Sequence, residues 1–182
     1  MLWPFSQFRK PRSAPRGTIE AIYGMIVTQA REPIFYTDLS VPDTVNGRFD
    51  LLLLHMWLLL RRLRSAADGT SLSQALFDRF CEDMDDNLRE MGIGDQTVPK
   101  RMQAFGEAFY GRTMAYDQAV DAGGEALASA IGRNILNGTE PGQASRLAAY
   151  ALAVEAGLAR ADEATLLRGS FAFPSPLGET MA

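Results

Sequence analysis

A chain of 182 residues is long enough for one well-buried core, and 47% hydrophobic with 22% charged residues is ordinary for a globular domain. The net charge of -4 argues against general nucleic-acid binding, which needs an excess of Lys and Arg over the phosphates. One cysteine, Cys81, and one histidine, His55, exclude an internal disulfide framework and a Cys-rich or multi-His zinc site.

Residues 1–16 read as a flexible basic and aromatic tail. Pro4, Pro11 and Pro15 interrupt any helix there, and Trp3, Phe5 and Phe8 precede Arg9, Lys10, Arg12 and Arg16 with no acidic residue. Three readings fit: a solvated terminus, a short organelle transit peptide, or a weak interfacial anchor. In the last, Trp3, Phe5, Phe8, Arg9, Lys10 and Arg12 contact an anionic membrane surface.

The folded part is expected over residues 17–169. Thr18 is a plausible N-cap for a helix whose Ile19, Ile22, Tyr23, Ile26, Val27 and Ala30 repeat at helical spacing, and Glu32-Pro33 ends it. A connection over 33–42 carries Phe35, Tyr36 and Leu39. A second helix is predicted from Asp43 to about Ser65, apolar nearly all round from Leu51 to Leu60 and therefore central. That stretch contains His55 and falls well short of the roughly 20 residues that span a bilayer. Arg61, Arg62 and Arg64 sit at its C-terminal end, where cations complement the helix dipole.

The third helix follows Thr70, with Leu76, Phe77, Phe80, Met84, Leu88 and Met91 on one face and an acidic opposite face. Gly92 stops it in the left-handed conformation, with Ile93 covering the last turn. A fourth helix opens at Thr97 with Pro99 in its first turn and the stripe Met102, Phe105, Phe109 and Tyr116. Gly106 and Gly111 within it are expected to admit a close neighbouring backbone. Residues 123–137 and 141–159 are Ala-rich and helix-compatible, a short helix follows around Asp162–Arg168, and 170–182 read as a flexible C-terminal tail. The fold class is all-α, a single bundle of about six to seven helices.

The sequence carries no catalytic constellation. His55 on an apolar helix is a hydrogen-bonded core residue far more readily than a base. The acidic run at 82–86 has the phase of a solvated face, without the Glu-x-x-His pairs of a di-iron bundle. Gly92-Ile-Gly94 follows a helix, so it is a cap and no phosphate loop. Cys81 is best placed as a buried space-filler. No cofactor is expected. Charge, however, is unevenly spread: residues 1–64 hold nine Lys and Arg against five Asp and Glu, and residues 65–182 hold nine against seventeen. Two differently charged surfaces follow, and such fields steer partners.

The order of these blocks resembles a known family. Gln29-Ala-Arg31 leads through Phe35-Tyr36 to VPDTVNGRFDLLLLHMWLLLRRL (Val41–Leu63), then Gln74–Phe77, DMDDNLREMGIGD (Asp83–Asp95), Val98-Pro-Lys100 and EAFYGRTMAY (Glu107–Tyr116). This succession is similar to the ubiquinol–cytochrome c chaperone family, over roughly residues 19 to 120. The resemblance implies an assembly factor for the bc1 complex, with cytochrome b or another bc1 subunit as client and no catalysis. The long N-terminal extension of mitochondrial members is missing, and with no secretory h-region the expected location is the cytoplasm, at the inner membrane face of a bacterium.

Asp83, Asp86, Arg89, Glu90, Lys100, Tyr110, Arg112 and Tyr116 are the candidate client contacts, on two helices joined by a short connection. Tyr110 and Tyr116 are equally readable as core residues, and Asp43, Arg48 and Asp50 as cap and ion-pair residues. The alternative function is a peripheral lipid- or quinone-binding protein, for which a closed apolar cavity would be the sign.

Overall fold

The computed structural model describes residues 15–177, so the tail residues Trp3, Phe5, Phe8, Arg9, Lys10 and Arg12 lie outside the described residues. Among the described residues the chain is all helical and forms one bundle. Six helices are long: α1 (Arg16–Ala30), α3 (Val45–Leu63), α4 (Gly69–Glu90), α5 (Val98–Ala122), α6 (Gly124–Ile135) and α7 (Pro141–Arg160). Two are short, α2 (Ile34–Thr37) in the connection and α8 (Glu163–Leu167) near the end.

α3 is the axis. Every residue from Asp50 to Leu59 is buried, and the helix packs against α1, α4, α5, α6 and α7. A stretch without a polar face has no stable place at the surface, and each fully buried Leu contributes about 2 kcal/mol of transfer free energy. Thr44, not Asp43, caps the helix: its Oγ accepts from the Gly47 amide at 3.1 Å. Asp43 instead pairs with Arg48 at 2.7 Å. Gly47 is required here, because a Cβ would lie 2.0 Å from the Pro42 carbonyl oxygen. At the other end Arg61 pairs with Asp117, Asp121 and Glu155, and Trp57 Nε1 donates to Asp117 at 2.8 Å, tying α3 to α5 and α7.

α1 and α4 run parallel. Glu20 meets Arg79 at 3.0 Å, and one turn on the Tyr23 hydroxyl donates to Asp83 at 2.9 Å. Gly92 ends α4 at φ 78°, with the Ile93 amide donating to the Leu88 carbonyl at 3.0 Å, as the sequence predicted. The expected role of Gly106 and Gly111 needs correction: a Cβ at either would meet nothing within 4 Å. Close approach occurs instead between α6 and α7, where a Cβ on Gly132 would lie 3.2 Å from that of Ala144.

From residue 170 the chain leaves helical structure but stays on the bundle. Phe171 and Phe173 pack against the core, Phe173 edge-on to His55 at 5.2 Å, and Gln29 donates to the Pro174 carbonyl at 3.3 Å. Aromatic area is what holds these residues down, so the described part of the C-terminal segment, to residue 177, is not a free tail.

Candidate binding groove

α1 ends at Ala30, and the chain turns into α2, held there by the Tyr36 hydroxyl donating to the Ala30 carbonyl at 2.7 Å. This turn leaves the last residues of α1, the first two turns of α3 and the last two turns of α4 facing an open apolar groove of about 250 Å³. Val27, Leu52, Met84 and Leu88 line it, and Phe49 and Phe105 stack at 4.8 Å along one wall. Its lips are unusual. Val45 is 65% exposed and Met91 61%, so two large apolar side chains border the groove in water.

Charged residues stand on its rim. On the α1–α3 side stand Arg31 and Arg48, which also line a shallow neighbouring hollow with Tyr36, Thr37 and Asp43. The Arg31 side chain has no ion-pair or hydrogen-bond partner among the described residues. The N-terminus of α3 opens on the same side, adding its partial positive charge. On the α4 side Asp83 lines the groove. Glu90, seven residues on, falls on nearly the same helical strip, whereas Asp86 is turned about 60° further from the groove. Asp86 and Glu90 are exposed. Arg89 is turned away, paired with Asp85 at 2.6 Å and with Asp95.

Geometry therefore divides the candidate contacts. Asp83 lines the groove and is hydrogen-bonded to Tyr23, whereas Asp86 and Glu90 are exposed on α4 outside its lining. Lys100 and Tyr110 are exposed on α5, but Tyr110 lies about 140° around that helix from Phe105, beside Phe77, and with Met114 forms a separate apolar patch. Tyr116 is corrected to a core residue: it is fully buried, its ring 5.2 Å from Trp57. Arg112 is corrected likewise, since Nη2 lies 2.7 Å from the buried Asp50 Oδ1 and serves the α3–α5 contact. That pair is close but poorly aligned. Asp50 Oδ1, Arg112 Nε and the Tyr116 hydroxyl have no hydrogen-bond partner among the described residues. Burial pushes the Asp50 carboxyl up to about 6, and Arg112 offsets only part of it.

His55 is the core histidine expected. It is fully buried, with Nδ1 2.7 Å from the Leu51 carbonyl and Nε2 2.8 Å from the Tyr150 hydroxyl. A carbonyl only accepts, so Nδ1 carries the proton and Nε2 accepts from Tyr150, which itself accepts from Gln29 at 3.1 Å. Burial lowers the imidazole to about 4 and keeps it neutral. Cys81 is only half-buried, and burial first, then Asp78, pushes its thiol up. Among the described residues no group of three or more His, Cys, Asp or Glu is placed to hold a metal ion, and no helix is long and apolar enough to cross a membrane.

Sequence reasoning missed Val45, Phe49, Arg31 and Phe105 as one site. The available signal was Val45 and Met91, apolar residues at helix ends where solvent is the default neighbour.

Comparison with known proteins gives a consistent set of likenesses. A family model described as Ubiquinol-cytochrome C chaperone matches residues 37–173. The chain is 31% identical over 104 residues to ubiquinol-cytochrome-c reductase complex assembly factor 1 of Xenopus laevis, covering 57% of this chain and 52% of that one. It is 31% identical over 108 residues to Protein CBP3, mitochondrial, of Saccharomyces cerevisiae, covering 57% and 32%. The chain thus spans about half or less of the curated relatives it matches. A crystal structure of the Cbp3 homolog from Brucella abortus superposes with a TM-score of 0.82 at 38% identity, covering 90% of this chain and 92% of that one.

Proposed function

Because the chain belongs to the ubiquinol-cytochrome C chaperone family, we propose that it is a non-catalytic assembly factor of the ubiquinol–cytochrome c reductase complex that holds cytochrome b, or a neighbouring subunit, through the groove between α1, α3, α4 and α5. The observation that carries this reading is the pair of exposed apolar lips, Val45 and Met91, bordering an open apolar groove. A factor that holds an apolar polypeptide segment needs apolar surface kept open in water, and such surface on a folded domain marks an interaction site. A lipid or quinone site is concave and closes round its ligand, whereas this hollow is only partly enclosed and opens to water past Val45 and Met91. The basic and aromatic stretch at residues 1–16 fits attachment to the membrane in which the client is inserted, on its cytoplasmic face.

The test is affinity capture from detergent-solubilised membranes, scoring recovery of the cytochrome b polypeptide. Val45→Asp and Met91→Asp together should lower recovery by about tenfold, the loss of one or two buried apolar contacts. Helix content should not change, since both side chains stand in water. Equal recovery with wild type and variant would remove the groove from the reading.

A further inference from the structure

α5 presents one strip to water on the side away from the groove. Lys100, Glu107, Met114 and Asp121 recur every seven residues along it, and all four are exposed. Met114 lies about 180° round the helix from Phe105, the residue by which α5 reaches the groove. Tyr110 stands exposed on one side of the strip, its ring 6.0 Å from that of Phe77 on α4. Gly111 stands on the other side, where a Cβ would meet nothing within 4 Å. We propose that this face of α5 is a self-association site, on which a second copy of the chain packs its own α5 antiparallel about a two-fold axis between Tyr110 and Gly111.

The order of charge along the strip names the partner. It begins with Lys100, which has no ion-pair partner among the described residues. It ends with Asp121, whose side chain stays 68% exposed while paired with Arg61. A two-fold axis midway sets Lys100 of each copy opposite Asp121 of the other, and Glu107 opposite Met114. A parallel pairing would instead bring Lys100 against Lys100 and Asp121 against Asp121. The antiparallel pair also sets the positive end of each helix against the negative end of its neighbour. Near the axis the two Tyr110 rings meet on one side, backed by Phe77. On the other side the two Gly111 residues carry no side chain to hold the helices apart.

Self-association of this kind is weak. From Lys100 to Asp121 the strip is about 32 Å long at the helix rise, which places the buried area at the low end of specific interfaces, about 1,200 Å² or less. The pair leaves the groove uncovered, since the two lie on opposite sides of α5. An anionic lipid surface is disfavoured here, because Glu107 and Asp121 share the strip with Met114.

Sedimentation velocity on the full chain from about 1 µM to about 300 µM is the test, and wild type should pass from monomer to a clear dimer fraction across that range. Lys100→Glu and Asp121→Lys should each weaken association by about tenfold, since both cross pairs become like-charged. Mixed in equal amounts, the two variants should recover wild-type association, because each cross pair is again of opposite sign. Met114→Glu, which faces Glu107 of the second copy, should weaken association as well. Circular dichroism should show the same helix content in every variant. A wild type that stays monomeric at the top of the range overturns the proposal. A dimer that all three variants leave intact removes this face from it, and a mixture no better than its components overturns the antiparallel register.

Discussion

Two buried ionisable residues on α3 answer pH in opposite directions. His55 is neutral in the fold and lowered to about 4 by burial, against an ordinary value near 6.5. A depressed folded value means that the unfolded chain binds the extra proton. The stabilisation is therefore present above about 6.5 and lost as pH falls toward 4. Asp50 is raised to about 6, so its contribution is greatest below the ordinary carboxylate range and is lost as pH rises through 6. Urea unfolding of wild type and His55→Gln at pH 7 and pH 5 isolates the first effect. The stability gap between them should narrow by about 2 kcal/mol at the lower pH. A constant gap would mean that the imidazole is not held neutral by the fold. The burial of His55 was legible in the sequence from the apolar residues around it. The Asp50–Arg112 contact was not, since nothing in the local pattern links residues on two helices so far apart in the chain.

At the scale of elements, apolar periodicity located α1, α3, α4 and α5, because a repeat near 3.6 residues must bury one face, whereas α6 and α7 were read from Ala-rich, helix-compatible composition. The Gly92 stop and the Pro99 start were legible too, since each rests on backbone chemistry alone. The glycines inside helices were read less well. Gly47 and Gly132 are the ones that meet neighbouring atoms, whereas Gly106 and Gly111 meet none, and only packing separates the two kinds. Gly47→Ala should therefore lower stability by several kcal/mol, because the Cβ would strike the Pro42 carbonyl and the backbone must move. Gly106→Ala should raise it by up to about 1 kcal/mol through helix propensity. Thermal melts of the two variants decide the matter, and a destabilised Gly106→Ala would show a close neighbour at α5 after all.

The whole molecule adds what no single element contains. The groove draws on residues from Val27 to Phe105 on four helices, so no sequence window shows it. Its basic rim, Arg31 and Arg48, was legible only as part of the charge imbalance between a basic front of the chain and an acidic remainder. The most direct measurement of the central claim places a photo-crosslinking residue at Met91, on the lip, and separately at Leu152, exposed on α7. Each full-length variant is irradiated in cells assembling the cytochrome complex, and the adducts are identified by mass spectrometry. The account predicts a cytochrome b adduct from position 91 and none from position 152. Adducts from position 152 alone would contradict it and move the client contact to the opposite helices.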